Sequence, residues 1–394
     1  MKKILYLFDD INYPSGAQKV TFFQMKTLSR DYKVSVFSLS KPQAYLRPEL
    51  KGISIVGKEL WERTELFSYS LKKVLSLKEI SFLKKIQRMF YSVVIRIGKG
   101  EAYLNYLFYR EIKQKFEKFD VVIVVSEASK LRELVSNLKH PKKIQWIHTD
   151  YALWSEFSDW TKMITKKDSV IYKKFDWIVT LSEYSRKGLL KKLPGLKDQT
   201  VVIPNLIDGK TILKKAEEDL DIEWNDADCH MVTVGRVDRE KAYDRVLDIC
   251  GKLKAEGYSF CWYIVGDGPL KGHLEKRIKA EQLEEYVKLT GRLENPYPLM
   301  KRCDWFVLLS EYEGTPVTID EAMVLGVPVI ATDVGGIAEQ MGRYGKGGNG
   351  YLVKNSENFQ RIFKMVGKRK RERKQFDCQE WNKSILCQIE KVLN

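Results

Sequence analysis

Only four histidines occur in 394 residues, and no two cysteines stand in C-x-x-C spacing. The commonest thiol-based metal and redox motifs are therefore missing. The six cysteines (Cys229, Cys250, Cys261, Cys303, Cys378 and Cys387) all fall in the second half, mostly inside apolar segments. They read as buried thiols of a reducing compartment rather than a disulfide framework. No apolar run approaches the ~18 residues of a membrane-spanning helix. The run after the basic start, in MKKILYLFDD, stops at Asp9 and Asp10, too soon for a signal peptide. The expected setting is the cytoplasm, at most at the inner face of the cell membrane. Acidic residues are scarce in one half only: residues 1–200 hold 38 lysines and arginines against 21 acids, and the rest 30 against 31. An excess so lopsided points that half toward something anionic, either a membrane, a nucleic acid or a charged substrate.

What is present is a two-domain pattern. The length and a 44% apolar content exceed one ordinary core. Short β-type runs alternate with helical ones throughout, as parallel sheets with crossover helices require. In the first half they are KILYLF, KVSVFSL, VVIVVS, KIQWIH, WIVTLS and VVIPN; in the second MVTVGR, CWYIVG, VKLTG, WFVLLS, PVIAT and GYLV. Two doubly wound, Rossmann-like α/β domains follow, spanning 1–205 and 206–370, with a closing helix over 371–394. The acidic stretch from Asn205 to Asp228 is the joint, and KRKRERK at 368–374 reads as a solvated helix start.

Ligands of such sheets collect at the carboxyl ends of the strands. After WFVLLS comes EYEGTPVTIDEAM, in which Thr315 can cap a helix beginning at Pro316 and so present amides to an anion. Glu313 precedes that corner and Glu321 lies a turn beyond it. Both carboxylates can border one ligand, with a phosphate on the amides and a polyol on each side; the alternative is a loop acid and a solvated helix acid. After MVTVGR, Arg236 and Lys241, the latter at the start of the next helix, can neutralise a departing diphosphate where other transferases use a metal. His148 ends KIQWIH, and Gly16 opens a helix after the first strand. Two DxD-like triplets, Asp219 to Asp221 and Asp226 to Asp228, sit in the acidic joint and read as solvated linker, not metal ligands.

The corner EGTPVTIDE resembles the E-x7-E signature of retaining glycosyltransferases of family 4. SGAQKV, WIHTDY, TLSEYSR, IPNLID, VGRVDREKA, VGDGPL, GRLENPY, EAMVLGVPVIATDVGG and NGYLV follow that family's order over most of the chain. The resemblance implies the GT-B fold, two Rossmann-like domains facing across a cleft, with a C-terminal helix that can cross back to the first. It implies transfer of a hexose or N-acetylhexosamine from a nucleotide sugar, UDP-linked by preference, without a metal or other cofactor. Carried over, Arg236 and Lys241 hold the donor diphosphate and Glu321 the ribose hydroxyls. Glu313 and the amides around Gly314, Thr315 and Pro316 hold the sugar and phosphate. His148 lies beside them, and Gly16 near the closed cleft. The departures are Ser15 in place of a glycine and Ala242 in place of another.

The basic half bears on the acceptor. Between 71 and 99, Leu83, Ile86, Phe90, Val93 and Ile97 recur near helical spacing among Lys72, Lys73, Lys84, Lys85 and Arg88. That suits an anionic membrane surface and a lipid-diphosphate-linked saccharide, as in capsule, exopolysaccharide or lipopolysaccharide assembly. An ordinary helix with a charged outer face is the alternative. A sugar-nucleotide epimerase is the rival enzyme. A nucleic-acid partner is not expected, since the basic stretch carries no recognised binding motif.

Overall fold

The structure, a computed structural model, describes the chain apart from residues 14, 62–65, 67–70, 79, 100–102, 104–110, 344–349, 355 and 367–374, and the side chains of 356, 357, 365 and 366. The basic run 368–374 thus lies outside the described residues. The rest forms two compact units. One comprises Met1–Leu181, Ser185–Leu206 and Ile385–Asn394, the other Ser182–Tyr184 and Ile207–Ser384.

The first unit is built on a parallel sheet of seven strands among the described residues, β1 (Lys3–Phe8), β2 (Lys33–Ser38), β3 (Ser54–Ile55), β4 (Val121–Val124), β5 (Lys142–Ile147), β6 (Trp177–Thr180) and β7 (Thr200–Val202). Their order is β3-β2-β1-β4-β5-β6-β7. β4 is buried along its whole length, and so is β1 after its first residue. Helices cover both faces of such a sheet, so its central strands read as unbroken apolar runs. The edge pair Ser54–Ile55 is too short to leave a periodic signal, and sequence reading missed it.

The second unit repeats the plan with β8 (His230–Val234), β9 (Cys261–Val265), β10 (Val287–Gly291), β11 (Trp305–Leu308), β12 (Val329–Thr332) and β13 (Gly350–Val353), ordered β10-β9-β8-β11-β12-β13 and parallel throughout. In each sheet the winding reverses beside the first strand, between β1 and β4 and between β8 and β11. Loops leaving the two strands at such a reversal diverge and open a crevice. Five cysteines are buried; Cys387 is exposed.

The helix Cys378–Leu393 closes the described chain. Its final residues belong to the first unit: Ile385, Ile389 and Leu393 are buried, and Lys2 Nζ donates to Leu393 O (3.2 Å) and Asn394 Oδ1 (2.8 Å). No helix among the described residues is long and apolar enough to cross a membrane.

Candidate active site

In the second unit the two loops that diverge at the sheet reversal carry the expected charges. The loop after β8 holds Arg236 and Lys241; the loop after β11 holds Glu313. Lys241 Nζ donates to Glu313 Oε1 at 2.5 Å, both side chains being mostly buried. Ser310 Oγ donates to the same oxygen at 2.7 Å. A charge-assisted bond this poorly solvated fixes the glutamate's orientation more firmly than a surface ion pair would. Arg236 Nη2, half exposed, lies 3.1 Å from Asp238 Oδ2 and 3.4 Å from Glu240 Oε1. Both cations are thus held by carboxylates, and an entering anion would compete for them.

Glu240 also binds the two loops together. Its carbonyl accepts from Glu311 N at 2.8 Å, and its carboxylate accepts from Tyr312 Oη at 3.2 Å. A third loop, after β12, clamps the corner from the other side. Gly335 takes φ +58°, and a Cβ there would stand 1.7 Å from the Glu313 carbonyl, so only glycine fits. Gly336 N donates to Gly314 O at 2.8 Å.

The helix after the corner runs Val317–Val324 with Pro316, not Thr315, as its cap residue, one position later than expected. Proline at ψ 121° has not yet entered the helix. It also has no N–H, so Pro316 itself has no amide to offer an anion. Thr315 is buried, and its Oγ1 has no hydrogen-bond partner. The Pro316 carbonyl accepts from Gln340 Nε2 at 3.0 Å, and Gln340 Nε2 also donates to Asp320 Oδ1 at 2.7 Å. The helix start is therefore fixed from outside.

Glu321 is only 4% exposed, which excludes a solvated helix acid. Its Oε1 accepts from Tyr297 Oη at 3.0 Å. Tyr297, Ser310, Gly335 and Gly336 received no role from sequence reading. Tyr297 stands in GRLENPY and the glycines in DVGG, stretches visible as motifs but uninformative about which atoms they would touch.

Lys241 is not at the start of a long helix. It ends the one-turn 3₁₀ segment Arg239–Lys241, and the next helix, Tyr243–Ala255, begins only after Ala242. Ala242 takes φ 49° and ψ 45°, a left-handed conformation that glycine adopts freely and alanine at a cost. Lys241 stands immediately before this turn.

The first unit holds the other two expected residues at the carboxyl edge of its own sheet. His148 follows β5; its backbone N donates to Oε2 of the buried Glu127 at 3.2 Å, and its Nε2 has no partner. Burial holds the imidazole below its ordinary pKa, against the opposing pull of Glu127 and a backbone hydrogen bond at Val125. Burial thus favours the neutral ring. Gly16 begins the helix Gly16–Leu28, capped by Ser15, whose Oγ accepts from Gln18 N at 3.1 Å. The serine that departs from the family pattern supplies a cap. Across the reversal of this sheet, Asp9 after β1 accepts from Ser129 Oγ (2.6 Å) and Lys130 N (2.8 Å) after β4.

Residues 214–377 match the family described as Glycosyl transferases group 1. An uncharacterized glycosyltransferase of Methanocaldococcus jannaschii is 25% identical over 215 residues, 54% of this chain and 52% of that protein. The N-acetylgalactosamine-N,N'-diacetylbacillosaminyl-diphospho-undecaprenol 4-alpha-N-acetylgalactosaminyltransferase of Campylobacter jejuni is 30% identical over 165 residues, 42% of this chain and 43% of that protein. The chain thus spans about half the length of these two relatives. The crystal structure of Anabaena HepE in complex with UDP superposes with a TM-score of 0.70 at 17% identity, covering 99% of this chain and all of that one. The fold is that of GT-B glycosyltransferases. The charged corner carried by the β8 and β11 loops lies within residues 214–377, the part of the chain that matches the glycosyl transferases group 1 family.

Proposed function

We propose that the chain is a retaining, metal-independent glycosyltransferase. It moves a hexose or N-acetylhexosamine from a nucleotide sugar, with UDP as the favoured carrier, to a saccharide linked to a lipid diphosphate in cell-surface polysaccharide biosynthesis. It works as a peripheral protein of the cytoplasmic membrane face. The observation that carries the reading is the Lys241–Glu313 contact at the sheet reversal, with Arg236 on the same loop and the buried Glu321 beyond the helix start. The lipid-linked acceptor and the carrier are supported by the names of the Campylobacter relative and the Anabaena complex.

The chemistry assigns each group a task. As the donor's glycosidic bond ionises, negative charge gathers on the departing diphosphate. Arg236, Lys241 and the amides around Gly314 and Thr315 stabilise it without a metal. Glu321 takes the ribose hydroxyls. Glu313 takes the sugar, since both of its bonds go to Oε1 and leave Oε2 to turn outward. No second carboxylate is assigned to a double displacement, so the acceptor attacks from the face the leaving group vacates, with retention.

Thermal unfolding of the purified protein with UDP, GDP and ADP, each with and without EDTA, tests this. One diphosphate should add the mass-action amount of stability, about 2.7 kcal/mol at a hundredfold excess over Kd, and so raise the midpoint. EDTA should not abolish the effect, and Lys241→Ala should. Indifference to all three nucleotides would overturn the donor reading, and a strict need for Mg²⁺ or Mn²⁺ the metal-free one.

A further inference from the structure

The helix Phe82–Arg96 is apolar on two opposite faces. Arg88, Tyr91 and Val94 face inward and are buried. Phe82, Ile86, Met89, Phe90 and Val93 recur at i, i+4, i+7, i+8 and i+11 and form a second stripe, widened by Leu83 and extended by Ile97 just past the helix end. These seven side chains are 47–78% exposed. A water-facing row of this size is an interaction surface rather than scattered exposure. The segment Phe82–Arg96 carries Lys84, Lys85, Arg88 and Arg96 and no acid at all.

We infer that this stripe docks on the surface of an anionic lipid bilayer, its apolar side chains entering the acyl boundary and the flanking cations meeting lipid phosphates. Three features favour lipid over protein. An antiparallel pairing with a second copy would bring three unburied cations, Lys84, Lys85 and Arg96, against three with no carboxylate between them, a repulsive arrangement. At fifteen residues the helix is about 22 Å long, too short to span a bilayer but suited to lying in its interface. The neighbouring helix Leu71–Ser76 packs against it and adds the half-exposed Leu75 beside Lys72 and Lys73; Lys85 Nζ ties the two by donating to Leu75 O at 3.1 Å. This specifies the membrane contact of the proposed function by its residues and depth, and it rests on no part of the donor chemistry.

Cosedimentation of the full chain with phosphatidylcholine vesicles, pure or with about 30% phosphatidylglycerol, separates apolar from ionic contributions. The parent should bind the anionic vesicles at low salt and retain part of that binding at about 0.5 M salt, where screening removes the ionic share. Leu83→Ser combined with Phe90→Ser should lose binding at both salt levels, about tenfold for each withdrawn side chain. Lys85→Gln combined with Arg96→Gln should lose it at low salt only. In every variant the nucleotide that stabilises the parent should still do so, and its failure in the parent would sink the donor reading alone. Sedimentation of Leu83→Ser/Phe90→Ser like the parent would overturn the inference. So would a parental dimer that this double variant dissolves while neither protein binds vesicles, because a second copy would then be the occupant.

Discussion

Glu313 and Glu321 look alike in sequence, eight positions apart, and the structure gives them different surroundings. Glu313 spends one oxygen on Lys241 and Ser310. Removing it frees Lys241 from its carboxylate partner, so Glu313→Ala should keep or strengthen nucleoside diphosphate binding while turnover falls. Glu321→Ala instead removes the acceptor of the Tyr297 Oη bond and, under the proposed ribose role, a contact common to donor and product. A hydrogen bond to a charged group contributes ~1.5–3 kcal/mol, so its loss should weaken nucleotide binding roughly tenfold or more. Calorimetric titration of both variants decides it, and equal loss in the two would mean that the corner acts as a single structural unit. The sequence made both acids visible because residue type and spacing are local. It could not show that Glu321 is buried, nor that Pro316 rather than Thr315 caps the helix, because Gln340, nineteen positions past Glu321, holds the Pro316 carbonyl.

At the scale of elements, the central strands were plain because a parallel strand buried on both faces must be apolar along its length, as VVIV at Val121–Val124 is. One placement was misread for a definite reason. Lys241 was expected on a helix, but Ala242 in a left-handed conformation breaks the chain there, and nothing in the residue type announces it. The stripe through Ile86, Phe90 and Val93 was detectable by its period, yet period alone does not say which of two apolar faces meets the core. The Ala242 turn makes a prediction. Ala242→Gly should leave the second unit's unfolding midpoint close to the parent's, since relief of about 1–2 kcal/mol of left-handed strain is offset by the lost methyl and a freer unfolded chain. Ala242→Val, β-branched in the same conformation, should lower that midpoint by several degrees and weaken nucleotide binding by displacing Lys241. Thermal unfolding and titration read both, and a tolerated valine would mean that the chain does not take this turn.

On the scale of the molecule, two parallel-sheet units could be read from alternating strand and helix patterns. Membership of a unit is a different matter, because it depends on contacts far apart in sequence. Ile385–Asn394 belongs with Met1, not with the residues just before it. Ending the chain after Ser384 removes Ile385, Ile389 and Leu393 from the first unit's interior, at about 1.5–3 kcal/mol each. That sum rivals a domain's whole stability. Calorimetry of the truncated protein should show the first unit's transition lowered steeply or lost, and the second unit's transition still raised by nucleotide. Two transitions at parental temperatures would contradict the assignment.

That assignment also orders events in time. Residues 385–394 are translated only after the entire second unit, so on a ribosome adding roughly 5–20 residues each second the half that emerges first waits on the order of ten seconds for its last piece. Throughout that interval the seat of Ile385, Ile389 and Leu393 stays open to water. The portion made first is the portion finished last, and the nascent chain has to be kept from sticking to its neighbours until then.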